Sequence, residues 1–220
     1  MITSMGDQQK SAWLENYVKH DIKSKGVGIP EIRQVVKAAN HRYHLSSKPF
    51  IKQVELLNDL MQKDFTEDKL AAIIYLELFW KKENPKLLLE LVSGWFDKGW
   101  ISDWNVGDWL CVRILTPLID ESPEVALPEL KQWNKSPSLW KARASLVPFA
   151  EAKSINMHVI LIEKFSAELI RREERFCKTA VGWVLREYSK HDRKFVENFL
   201  EENKKWTTKE VIQNASKYFD

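Results

Sequence analysis

The run Leu70-Ala-Ala-Ile-Ile-Tyr-Leu-Glu-Leu-Phe-Trp80 decides the fold class. Leu70, Ile73, Ile74, Glu77 and Leu78 follow the i, i+3, i+4, i+7, i+8 spacing of one helical face, and Leu76, Phe79 and Trp80 widen its apolar side. Ala180–Tyr188 repeats the pattern, with Ala180, Trp183, Val184 and Glu187 on one face and Val181, Leu185 and Tyr188 on the next stripe. No segment alternates with the period of two that a strand needs. Helix starts recur along the chain at Ile29-Pro30-Glu31, Ser47-Lys48-Pro49, Thr66-Glu67-Asp68, Asn84-Pro85, Ser122-Pro123-Glu124, Ser136-Pro137-Ser138 and Thr207-Thr208. Most join a capping side chain to a proline suited to the first turn. Their spacing predicts an all-α chain of about eleven or twelve helices. Helices so short and numerous favour a stack of helical pairs over a bundle around one centre.

Composition narrows the function classes. The 220 residues are 44% apolar and 30% charged, with only seven glycines and eight prolines, which fits a soluble globular domain spanning residues 1–220. No apolar run reaches the roughly 20 residues of a membrane span, and the stretch MITSMGDQQK lacks the basic-then-apolar pattern expected of a secretion signal. A cytoplasmic monomer is expected. Cys111 and Cys177 are too few for a disulfide framework or a thiolate zinc site, and both read as buried fillers. His41 and His44 lie three apart without a carboxylate to join them, so they read as surface histidines, and neither a metal nor another cofactor is expected. The formal charge is +3, yet residues 131–205 carry 16 Lys/Arg against 10 Asp/Glu while residues 1–130 carry 16 against 19. Basic residues gathered in one stretch point to a polyanion partner.

The chemistry-bearing stretch is Trp100-Ile-Ser-Asp-Trp104-Asn-Val-Gly-Asp108-Trp109. Ser102 or Asp103 is placed to cap a helix running through Leu110, Val112, Ile114 and Leu115. Trp104 and Asp108 are then stacked one turn apart. A carboxylate beside an indole face, near the positive end of a helix, suits an incipient cation. The same spacing equally describes a core tryptophan and a surface aspartate. The further tryptophans Trp13, Trp80, Trp133 and Trp206 read as packing between helices.

Four blocks in this chain resemble the AlkD family of alkylpurine DNA glycosylases, also called DNA alkylation repair proteins, which are built from HEAT-like repeats. They are Tyr17-Val-Lys-His20 with Gly28-Ile-Pro-Glu-Ile-Arg33, Ser102-Asp-Trp104-Asn-Val-Gly-Asp108, Leu139-Trp140-Lys-Ala-Arg143-Ala-Ser, and Ala180-Val-Gly-Trp183-Val-Leu-Arg-Glu-Tyr188. The resemblance implies a right-handed superhelical solenoid with a concave face for duplex DNA. It places the catalytic aspartate at Asp108, the active-site tryptophans at Trp104 and Trp183, and a DNA-backbone arginine at Arg143. It also implies excision without base flipping. Three positions depart from the family pattern: Asp103 replaces a tryptophan, Asn105 an acid and Gly107 an apolar residue.

The implied reaction suits these residue types. Alkylation at N3 or N7 makes the purine cationic, so it leaves as a neutral base. A fixed carboxylate can then face the oxocarbenium-like sugar and direct water at C1′, with indole faces against the deoxyribose. The basic residues Lys135, Lys141, Arg143, Lys153, Arg171, Arg172, Arg175, Lys178 and Arg186 are expected to hold duplex DNA through its phosphates. For Arg186, pairing with Glu187 or Glu163 is the alternative to a DNA contact. The competing reading of the whole chain is a helical-repeat protein that binds distorted or branched DNA with little or no excision; a solenoid that binds only protein leaves the basic stretch unexplained.

Overall fold

A computed structural model describes residues 2–18, 22–80 and 84–219. Among the described residues every regular element is helical, and Lys23 and Phe65 form one isolated bridge. The all-α expectation holds. The chain divides into two compact units, residues 1–114 and 115–220.

The first unit contains α1 (Gln8–Tyr17), α2 (Ile29–Tyr43), α3 (Phe50–Met61), α4 (Thr66–Phe79), α5 (Pro85–Asp97) and α6 (Trp104–Leu110). Its centre is α4, the helix of the deciding run. Residues Thr66–Leu76, Asp68 excepted, are buried, because α2, α3 and α6 all pack on it. A helix apolar on every side has to be an interior one. Inside this core Gln53 on α3 accepts hydrogen bonds from the Tyr75 hydroxyl at 2.9 Å and the Trp80 indole at 2.8 Å.

The second unit contains α7 (Thr116–Glu121), α8 (Pro123–Trp133), α9 (Leu139–Leu146), α10 (Val159–Ile170), α11 (Arg175–Tyr188), α12 (Arg193–Glu202) and α13 (Lys209–Ala215). Here α11 is central and touches α9, α10, α12 and α13. Gly182 explains the closeness of α13. A Cβ at that position would lie 3.3 Å from the Val211 Cα and 3.3 Å from the Asn214 Cβ, so a larger residue would require the two helices to give by a few tenths of an ångström.

Helix boundaries follow the sequence signals. Asn84, Ser138 and Thr208 each cap a helix by accepting a backbone N–H, and Asp103, not Ser102, caps α6. One difference is structural. The helix expected to run unbroken from Trp104 through Leu115 widens into a π turn at Cys111–Leu115 before α7. Pro117 has no N–H to offer the Arg113 carbonyl, and its ring crowds that carbonyl, so the regular ladder cannot continue through it. The described residues hold the helices α1–α13, close to the eleven or twelve that the spacing predicts.

Cys111 and Cys177 are buried, and burial pushes the Cys177 thiol up to about 11, which suits an inert filler. His41 and His44 are exposed, and the described residues hold no cluster of three or more metal-ligating side chains. No described helix is long and apolar enough to cross a membrane.

Candidate nucleic-acid site

In the first unit, Asp103 starts the helix that carries Trp104 and Asp108. Its Oδ1 accepts the Val106 N–H at 2.9 Å and its carbonyl accepts the Gly107 N–H at 3.2 Å, so both residues just before Asp108 hang from it. Asp103 is completely buried, and burial lifts its carboxyl from 3.8 to about 6. Trp104 and Asp108, both half-buried, project from one face of α6, four residues apart. Asn105 reaches Thr66 at the start of α4, its Nδ2 donating to Oγ1 at 3.4 Å. Gly107 is buried; a Cβ there would meet only Ile101 Cγ2, at the ordinary distance of 3.6 Å. The departures at Asn105 and Gly107 are therefore accommodated by the local packing, while Asp103 caps the helix at a cost in burial.

Aromatic rings extend from Trp104 toward solvent. Tyr17 meets its edge at 4.9 Å with 74° between planes, and Trp13 stacks on Tyr17 at 5.2 Å and 8°. Trp13 is 64% and Tyr17 55% exposed. This corrects the expectation that Trp13 packs between helices. The signal was present in the sequence, because Trp13 and Tyr17 are four apart on one helix and so meet side by side. His20, from the same block, lies outside the described residues. Behind these rings a cleft of about 400 Å³ is lined by Trp13, Leu14, Val27, Leu70, Asn105 and Trp109. Its far wall is the Ser24–Val27 loop, which the buried Glu67 carboxylate organises. That carboxylate accepts the Ser24 hydroxyl at 2.7 Å, the Lys25 N–H at 2.8 Å and the Val27 N–H at 3.3 Å. Gly26 in that loop has φ +73°, and a Cβ there would fall 1.9 Å from the Asp7 carbonyl oxygen, so the position requires glycine. The Gly28–Arg33 block that follows begins α2, and Arg33 pairs with Glu77 on α4 at 2.6 Å.

In the second unit, Trp183 is half-buried on α11, and its indole N–H is buried with no hydrogen-bond partner among the described residues. Arg143 on α9 is only 6% exposed, and its Nη1 donates to the Phe176 carbonyl at 2.6 Å and the Thr179 hydroxyl at 3.1 Å, tying α9 to α11. Arg186 donates from Nε to Glu187 at 2.8 Å and from Nη1 to Asn214 at 3.0 Å, so of the acidic neighbours Glu187 and Glu163 it meets Glu187. Several other cations of the basic stretch are also held internally. Arg172 pairs with Glu174, Arg175 with Glu210, and Lys178 donates to the Trp206 carbonyl at 2.8 Å. Lys135, Lys153 and Arg171 are exposed, Arg171 lying over the Trp206 ring at 4.8 Å. Of the remaining tryptophans, Trp80 and Trp133 are buried between helices as expected, and Trp206 is half-buried beneath Arg171 and Lys205.

The two units together define an all-helical protein whose acidic, tryptophan-flanked helix is built around a buried capping aspartate. Residues 2–219 match the model of the DNA alkylation repair enzyme family, and the chain belongs to that family. Its fold is similar to that of a predicted DNA alkylation repair enzyme from Enterococcus faecalis, with a TM-score of 0.80 and 22% identity over 97% of this chain and 96% of that one. It is also similar to AlkD2 from Streptococcus mutans, with a TM-score of 0.61 and 21% identity over 96% and 98% of the two chains. The smu.31 protein from Streptococcus mutans UA159 aligns at a TM-score of 0.62 and 20% identity, again over 96% and 98%. No curated protein matches the chain. Family membership gives a role in DNA alkylation repair, with DNA as the partner.

Proposed function

We propose that this protein is a monofunctional DNA glycosylase that hydrolyses the N-glycosidic bond of cationic N3- and N7-alkylated purines such as 3-methyladenine and 7-methylguanine. The observation that carries the reading is Asp108 one turn beyond Trp104 on a helix whose first turn is fixed by a buried cap. A carboxylate held this way faces the positive charge that grows on the deoxyribose as the neutral base departs, and it orients the water that attacks C1′. The water oxygen bonds to C1′, its proton passes to the carboxylate, and the electrons of the broken C–N bond neutralise the purine. The Trp104 indole presents its negative π face to the polarised sugar C–H groups. Because the lesion is already cationic, no strong general acid is needed, and an unmodified purine remains a poor leaving group.

Trp183, Arg143 and Arg186 receive their roles from motif likeness: Trp183 beside the sugar, the two arginines on the DNA backbone. The internal bonds of Arg143 and Arg186 support an additional part in holding α11. No cofactor enters the proposed step, the base is not flipped into a pocket, and a single copy of the chain is sufficient. The test is release of free base from duplex carrying 7-methylguanine or 3-methyladenine, with abasic sites formed in equal amount. Tight duplex binding without release would instead assign the chain to recognition of distorted DNA.

A further inference from the structure

We propose that Asp103 is a positioning residue for Asp108, holding the turn beneath it and supplying a negative charge that strengthens the field the reacting sugar meets. The inference rests on the glycosylase reading. Asp103 holds the N–H groups of Val106 and Gly107, so the backbone that delivers Asp108 is anchored twice to one residue. A neutral serine or asparagine would cap as well. The charge brings a penalty a neutral cap avoids, because Oδ2 is buried with no hydrogen-bond partner among the described residues. Lys69 on α4, whose charge acts on it, does not bond it; the Lys69 ammonium donates to the Met61 carbonyl at 2.7 Å and the Trp100 carbonyl at 2.6 Å. The carboxylate cap therefore sets a buried negative charge in the turn that carries Asp108.

That charge is titratable in an accessible range. Burial is the main cause of the rise to about 6; the Val106 and Asn105 N–H groups and Lys69 oppose it, and Asp108 adds to it. Asp64, two residues before α4, and Asp68 in its first turn act on Lys69. As the pH falls through 6 the carboxyl takes up a proton. The negative charge vanishes and the cap weakens, because a neutral acid is a poorer acceptor.

The experiment measures 7-methylguanine release between pH 5 and 8, corrected for spontaneous loss, for the wild type and Asp103→Asn. The wild-type rate should fall about five- to tenfold from pH 7 to pH 5 with a midpoint near 6, the order of effect expected of one nearby charge at intermediate dielectric. Asp103→Asn should run at the lower rate throughout and lack this limb. A second arm measures binding to duplex with a pyrrolidinium abasic analogue against a neutral tetrahydrofuran one. Wild-type preference for the cation should decline below pH 6, and that of Asp103→Asn should not. Base release with the same pH limb and the same cation preference in both proteins overturns the positioning role and leaves the glycosylase reading intact. No release by the wild type, with a cation preference that follows Asp103, overturns the chemistry and keeps the electrostatic role. Absence of both effects removes both.

Discussion

Replacing Asp103 by asparagine keeps an oxygen for the Val106 N–H and removes a charge that burial opposes. The folded carboxyl titrates near 6 and the unfolded one near 3.8. Between these values the folded state binds more protons, so this group makes the protein less stable as pH rises from about 3.8 to 6. Above 6 the penalty is fully present. The difference is worth about 3 kcal/mol at about 1.36 kcal/mol per pH unit. Asp103→Asn should therefore be more stable than the wild type at pH 7.5 by up to about 3 kcal/mol, and the gap should close on acidification to pH 4. Urea denaturation followed by far-ultraviolet circular dichroism at pH 4, 5, 6 and 7.5 reads both effects. A variant less stable than the wild type at pH 7.5, or a gap that does not change with pH, would show that Lys69 compensates the charge and would refute burial as the dominant influence. A more stable but slower enzyme is the combination expected where a strained group serves function.

Further substitutions test the local packing. Gly107→Ala should fold and gain up to about 1 kcal/mol, since the new methyl meets Ile101 at an ordinary distance and alanine is the better helix former; thermal melting checks this. Gly182→Ala should lose about 1–3 kcal/mol by forcing α11 and α13 apart, visible as a lowered melting temperature. Glu67→Ala should cost about 3 kcal/mol, because it strands the buried Ser24 hydroxyl and two N–H groups, and should speed hydrogen exchange at Lys25 and Val27.

Much of the fold was legible because its signals are local. Proline and capping residues marked helix starts at Ile29, Pro85, Pro123 and Lys209, and the all-round apolar run at Leu70–Leu76 marked the central helix. The π turn at Cys111–Leu115 was missed because the apolar spacing continues through it; only Pro117 interrupts the backbone. Within the site, the stacking of Trp104 and Asp108 follows from helix geometry. The choice of Asp103 over Ser102 as cap does not, since either side chain serves, and its complete burial depends on α4, which is distant in sequence. Trp13 departs from the expectation of packing between helices because it stacks on Tyr17 and the pair lies exposed. Spacing does not reveal the ion-pair partners within the basic stretch. Arg172, Arg175 and Arg186 meet Glu174, Glu210 and Glu187, and only Glu174 and Glu187 lie close by in the chain.

The central claim is that Asp108 performs the chemistry rather than the folding or the binding. The most direct measurement is base release from duplex carrying 7-methylguanine by wild type and Asp108→Asn side by side, with duplex affinity and melting temperature recorded for both. Release by the wild type and its loss in Asp108→Asn, with affinity and melting temperature retained, is the predicted result. Equal release by the two proteins would contradict the assignment of Asp108, and no release by either would contradict the glycosylase itself.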